Sequence, residues 1–313
     1  SITLNLNKPE GITLTKKLVA VSDAVIENFT PRVMVNWGLN YTSLKKIKPD
    51  IIMVSMSVLG QGSNYSGYGP TVHALSGMTQ LTSFSGQSPL GPGFSYADHV
   101  AGLYAAMKLL AALEKRRKTG KGQHIDISEV DIMKDLLPDN KESNPMGNIS
   151  SKVAPHNVYQ CQDGRWVAIA VFTEEEWRGL KQALESPAWA ESDKFTSLNN
   201  RLKNRDELDK KIDAWTKQRT AKEVISILQK NGVAAGMVQN AVDLAKDPQL
   251  KERGFFIKDT KTSFIDAEPI RMSGVNIEYQ PAPSPGRDND YVYGELLGIS
   301  EKEREGLKER GII

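Results

Sequence analysis

A chain of 313 residues can bury a sizeable core and is long enough for two domains. Its 39% hydrophobic and 25% charged residues are ordinary for a soluble globular protein, and a net charge of +2 is too small to argue for nucleic acid as a partner. The single cysteine, Cys161, excludes an internal disulfide framework and a multi-cysteine metal site and fits a reducing cytosol; no apolar run is long enough to span a bilayer.

The opening Ser1-Ile2-Thr3-Leu4-Asn5-Leu6 has a strand-like pattern. Leu14-Thr15-Lys16-Lys17-Leu18-Val19 is helical and leads to a strand at Ala24-Val25-Ile26. Residues 50–57 are almost wholly apolar, which fits a parallel strand covered on both faces. A Gly/Ser/Tyr loop over 60–70 precedes a helix over about 71–83.

Residues 94–128 combine several signals. Asp98 stands at the mouth of a long apolar segment that turns basic over Glu114-Lys115-Arg116-Arg117-Lys118. The segment breaks at Thr119-Gly120-Lys121-Gly122 and resumes as an alternating strand, His124-Ile125-Asp126-Ile127-Ser128. An acidic first turn, an apolar body, a basic last turn and glycine stop signals agree on one helix. The basic cluster over 115–121 reads as a solvated helix end, with anion contact as the alternative. Strands alternating with helices predict βαβ crossovers and an α/β sheet.

Pro138, Pro145, Gly147 and Pro155 among polar residues mark a linker over about 137–155. Beyond it, Arg165-Trp166-Val167-Ala168-Ile169-Ala170-Val171 predicts a strand, and 174–184, 205–217 and 221–231 carry apolar residues at helical spacing. Trp177, Trp189 and Trp215 read as core anchors, and Cys161 as a packed thiol rather than a nucleophile. The tail over 281–313 holds a Pro/Gly/Asp turn cluster and a charged helix.

Asp98 admits two readings. Aspartate is a favoured helix N-cap, accepting a backbone N–H two or three residues on. Alternatively, Gly91, Gly93 and Gly102 let backbone approach closely, and the carboxylate faces a ligand.

The motifs resemble those of the class III CoA-transferases (the CaiB/BaiF family), which include formyl-CoA transferase, carnitine CoA-transferase and α-methylacyl-CoA racemase. The likeness rests on Ala97-Asp98, on Gly102-Leu103-Tyr104-Ala105-Ala106, and on Arg117-Lys118-Thr119-Gly120-Lys121-Gly122-Gln123 running into Ile125-Asp126-Ile127-Ser128. It extends to the opening segment with Lys8-Pro9-Glu10-Gly11 as early strand and turn, to Glu27-Asn28-Phe29-Thr30-Pro31, and to His73-Ala74-Leu75-Ser76-Gly77. Later landmarks are Ala154-Pro155-His156-Asn157-Val158-Tyr159, Asn204-Arg205-Asp206-Glu207-Leu208 and Gly232-Val233-Ala234-Ala235-Gly236. The shared order carries the resemblance.

The resemblance implies a Rossmann-like large domain (a parallel sheet with flanking helices) plus a smaller α+β domain, interlocked with a second chain. Boundaries are expected at 1–140 for the first part of the large CoA-binding domain, 141–157 for the linker and 158–275 for the small domain, with 276–313 returning to the large domain. Family members carry a further N-terminal stretch, so a fragment, a processed product or one piece of a split protein is expected. The implied activity is transfer of CoA from an acyl-CoA donor to a small carboxylic acid in the cytoplasm, without metal, membrane or nucleic acid. Asp98 would be the nucleophile, passing through a mixed anhydride and an aspartyl-CoA thioester, in a site that excludes water and stabilises the oxyanion with nearby N–H donors.

Leu4, Asn28 and Phe29 match CoA-contacting positions. Asn7 and Asn36 stand where cations are usual, leaving Lys8 and Arg32 as the nearby replacements. The alternative is an inert family member serving as a structural or CoA-binding subunit, in a homodimer or a heterodimer with a related chain. Racemisation is disfavoured because Tyr68 occupies the matching histidine position, and an ordinary tyrosine is too weak a base.

Overall fold

The apolar run over 50–57 becomes the centre of a three-stranded parallel sheet in the computed structural model, which describes residues 1–137, 147–258 and 264–313. Two units emerge, Ser1–Pro145 with Ala282–Ile313, and Met146–Pro281.

In the first unit, helix α1 (Pro9–Val21) leads to strand β1 (Ala24–Glu27), then to helices α2 (Pro31–Asn36) and α3 (Tyr41–Ile47), and to strand β2 (Ile52–Ser57). Helices α4 (Gly69–Ser76) and α5 (Met78–Leu81) precede the long helix α6 (Tyr96–Thr119), strand β3 (His124–Ser128) and helix α7 (Glu129–Leu136). The sheet order is β1-β2-β3, with Ala24 opposite Ile52 and Ser57 opposite Ser128. Ile52, Met53 and Val54 are sealed from water, as a strand covered on both faces requires. Helix α6 buries a stripe of small residues, Ala97, Ala101, Ala105 and Ala112, with Ala101 and Ala105 against Val54 and Ile127. Its larger apolar residues Leu103, Met107 and Leu110 are exposed, so the apolar body is not buried all round.

Three local expectations are corrected. Ser1–Leu6 pairs with no strand: Asn5 N–H donates to the Ile312 carbonyl, Thr3 N–H to Asn289 Oδ1, and Tyr293 Oη–H to the Thr3 carbonyl. Lys8-Pro9-Glu10-Gly11 is not a turn after a strand but the start of α1, with Pro9 at a position where a missing N–H costs nothing. The single helix read over 71–83 is two helices, because Gly77 takes a left-handed backbone (φ 90°) that ends α4.

In the second unit, β4 (His156–Gln160), β5 (Trp166–Ala170) and β6 (Ala234–Met237) form an antiparallel sheet with β5 central. Helices α8 (Glu174–Ala183), α9 (Leu198–Lys203), α10 (Arg205–Thr216) and α11 (Ala221–Lys230) accompany it. Val167, Ile169, Trp177, Leu180, Leu208 and Leu228 are in its core, and Trp189 and Trp215 pack at the margin. Cys161 is buried there, its thiol pushed up to about 11 by burial first and by Asp163 second. Residues 138–146 of the expected linker lie outside the described residues; its far end is structured, since β4 begins at His156. Short helices α12 (Ala241–Lys246) and α13 (Pro248–Glu252) and the hairpin strands β7 (Phe256–Lys258) and β8 (Phe264–Asp266) complete this unit. The final helix, α14 (Glu301–Glu309), belongs to the first unit, where Leu14, Tyr293, Ile299, Leu307 and Ile312 cluster.

Candidate active site

All three parallel strands end at one edge, and the chain turns there into loops and helix N-termini. In open α/β sheets this edge is where ligands collect. A cavity of about 580 Å³ lies there, lined by Asn28 and Phe29 after β1, Ser57 and Val58 at the end of β2, Glu129 after β3, and Asp98 from α6. Tyr65, Gly67 and Tyr68 line it from the loop before α4, and Gly69 from the start of α4. Beneath it Val58, Val72, Ala97, Val130 and Met133 pack together, tying α4, α6 and α7 to the sheet.

Two contacts from α4 set the first turn of α6. Gly69 lies so close to the helix cap Ser95 that an added Cβ would meet Ser95 Oγ at 2.6 Å and Cβ at 2.9 Å. His73, 3% exposed, accepts the Ala97 N–H on Nε2 at 3.2 Å, which places its ring proton on Nδ1. The backbone just before Asp98 is therefore held by a histidine from another helix. Asp98 itself lies within the first turn, with Ser95 at the N-cap position and no side-chain cap bond. The N-cap reading thus fails, and the carboxylate is exposed at the cavity. Gly91, Gly93 and Gly102 do not line the cavity; Gly67 and Gly69 do.

Glu129 opens α7 directly after β3, where Val130 N–H donates to the Val58 carbonyl at 3.1 Å and Ser128 caps the helix. It is buried and lines the same cavity as Asp98. Burial first, then the Asp98 charge and hydrogen bond, push its carboxyl up to about 7. Nothing in the sequence singles it out: an acidic residue in a helix first turn is ordinary. Ser57 Oγ is buried in the same cavity lining without a hydrogen-bond partner. Glu27 Oε2 accepts the Phe29 N–H at 2.8 Å, fixing the loop that carries Asn28 and Phe29.

The other sequence-predicted residues lie apart from this cluster. Leu4 lines a separate groove of about 560 Å³ with Asn7, Trp37 and Ile312. Trp37 meets Phe29 edge to face at 5.3 Å, so groove and cavity share an aromatic wall. Lys8, at the cap of α1, and Arg32, in α2, are exposed and line neither. Tyr68 is 86% exposed at the cavity. At the end of α6, Arg116 pairs with Asp23, and Arg117 and Lys118 with Glu114, as a solvated helix end would. Among the described residues there is no cluster of three or more His, Cys, Asp or Glu able to hold a metal, and no helix long and apolar enough to cross a membrane.

Comparison with known proteins gives a consistent result. The model of CoA-transferase family III matches residues 1–290. The chain is 31% identical to succinyl-CoA–D-citramalate CoA-transferase of Chloroflexus aurantiacus, over 100% of this chain and 82% of that protein. It is 32% identical to the alpha subunit of succinyl-CoA–L-malate CoA-transferase of the same organism, over 100% of this chain and 77% of that one. The crystal structure of a CaiB/BaiF family protein from Brucella suis superposes with a TM-score of 0.86 at 31% identity, covering 95% of this chain and 81% of that chain.

Proposed function

The chain belongs to CoA-transferase family III, and from that premise we infer that it moves CoA from an acyl-CoA to a carboxylic acid with Asp98 as the nucleophile. The observation that carries the role of Asp98 is its place in the cavity at the carboxyl edge of the parallel sheet, on a turn packed against Gly69 and bonded to His73. The Asp98 carboxylate attacks the thioester carbonyl, forming a mixed anhydride and expelling CoA thiolate. The thiolate attacks the aspartyl carbonyl of that anhydride, leaving an aspartyl-CoA thioester and releasing the donor acid. The acceptor carboxylate then displaces the thiolate from Asp98, and the thiolate takes the acceptor's acyl carbon, restoring the Asp98 carboxylate. Every step exchanges one activated acyl carbon for another, which is why a single carboxylate suffices.

CoA would lie along the groove at Leu4 and pass the Phe29–Trp37 wall into the cavity beside Asn28, with Lys8 and Arg32 as the nearby cations for its phosphates. The relatives' names make succinyl-CoA the first donor to try and a small hydroxydicarboxylic acid the first acceptor. Two interlocked chains would complete the enzyme. A second reading, a CoA-binding subunit without activity of its own, draws on the subunit naming of one relative and on Asn7 and Asn36 at positions where cations are usual.

Mass spectrometry after exposure to succinyl-CoA and other acyl-CoAs tests the reading. An adduct trapped on the peptide holding Asp98, with exchange abolished in Asp98→Asn, is the expected result. Full exchange in Asp98→Asn overturns the nucleophile, and no adduct or exchange with any donor favours the subunit reading.

A further inference from the structure

Two carboxyl groups lining one cavity repel each other when both are charged, so the buried one resists losing its proton. The two sites are unequal. Asp98 is exposed at the cavity, whereas Glu129 is 5% exposed and stands on the packed floor made by Val58, Ala97 and Val130. Desolvation opposes charge at the buried member, so the proton resides on Glu129 and the charge on Asp98. Resting on the reading of Asp98 as nucleophile, we propose that Glu129 is its positioning residue: a protonated carboxyl that donates a hydrogen bond to one Asp98 oxygen and leaves the other free to attack.

The arrangement has consequences across the cycle. In the resting enzyme the pair carries one negative charge. When Asp98 becomes an anhydride or thioester, that charge is gone and burial alone opposes ionisation of Glu129, so the acceptor carboxylate meets less negative charge than in the resting site. Once Glu129 ionises, a second charge beside Asp98 opposes both acyl-CoA phosphates and acceptor, and the hydrogen bond to Asp98 is lost. Ser57 Oγ, 6% exposed and unpartnered, is a further hydroxyl in the same lining, available to bond the acyl oxygen or the pair.

Several titratable groups on the elements packed around Glu129 are engaged with other partners. On α4, His73 is bonded to Ala97 N–H; on α6, His99 meets the Ser95 carbonyl at 2.8 Å. On β3, His124 bonds Ser55 Oγ and Asp126 accepts the Gln61 N–H. Helix α7 carries Asp131, Lys134 and Asp135 beyond Glu129 itself. Among the described residues, Asp98 is the charged group that shares the cavity lining with Glu129.

The test is CoA exchange between succinyl-CoA and a carboxylic acid from about pH 5.5 to about pH 9 for the parent, Glu129→Gln, Glu129→Ala and Asp98→Asn. Glu129→Ala, which leaves Asp98 without its donor, should lose about tenfold or more in kcat. Glu129→Gln, a neutral donor of the same shape, should recover most of that loss and abolish the alkaline fall in kcat/KM expected of the parent. Infrared difference spectra near neutral pH should contain a protonated-carboxyl carbonyl band that is absent from Glu129→Gln, a readout independent of turnover. An alkaline limb unchanged in Glu129→Gln, undiminished kcat in Glu129→Ala, or no such band overturns the proposal. Exchange surviving in Asp98→Asn instead overturns the nucleophile reading beneath it, so the two failures are told apart.

Discussion

The buried carboxyl of Glu129 makes stability depend on pH in a calculable way. Its pKa in the folded protein, about 7, lies above the ordinary 4.5. Between those values the folded state keeps a proton that the unfolded chain has lost, so stability falls as pH rises through the window and levels above it. At about 1.4 kcal/mol per pH unit, the rise corresponds to at most about 3 kcal/mol for this 5% exposed side chain. Gln stays uncharged throughout. Glu129→Gln should therefore gain up to about 3 kcal/mol relative to the parent between about pH 4.5 and about pH 8. Urea midpoints of the two proteins at both pH values measure the gain, and the other titrating groups cancel in the difference. Asp98→Asn should shrink the slope without removing it, because burial is the larger cause. Parallel stability curves for parent and Glu129→Gln would refute the account of a proton held in the folded site.

His73→Leu leaves the buried Ala97 N–H without its acceptor and should cost about 1–3 kcal/mol, while His73→Gln, which can still accept, should cost less; thermal unfolding compares them. Gly69→Ala forces a Cβ against Ser95 and should lower kcat by shifting Asp98, with near-native circular dichroism; unchanged kcat would mean that the turn absorbs the strain elsewhere. Arg201, 2% exposed, donates to the Ala154 and Phe195 carbonyls and lies over the Trp177 ring at 4.7 Å. Arg201→Ala should destabilise by about 3–5 kcal/mol, read from the urea midpoint. Asn36→Arg, on the exposed end of α2, should tighten CoA binding by up to about tenfold at low ionic strength and less at high, as titration calorimetry would record.

Local chemistry in the sequence was sufficient where an element's signals come from its own residues. Helix α6 carries its acidic first turn, basic last turn and glycine stop within one segment, and the apolar run that becomes β2 declares its burial by composition. The motif order that identifies the family, and Asp98 within it, are legible for the same reason. The opening segment misled because its alternation resembles a strand, whereas its partners, Asn289 and Ile312, lie at the other end of the chain. Glu129 was invisible for a related reason. Its identity as an acidic residue in a first turn is commonplace, and its consequence arises only when parallel register sets Ser57 beside Ser128 and α7 packs on α6. Exchangeable contacts within a few residues leave a periodic trace in sequence; a proton shared between two distant carboxyls depends on burial and separation, which exist only once the sheet and its helices have assembled.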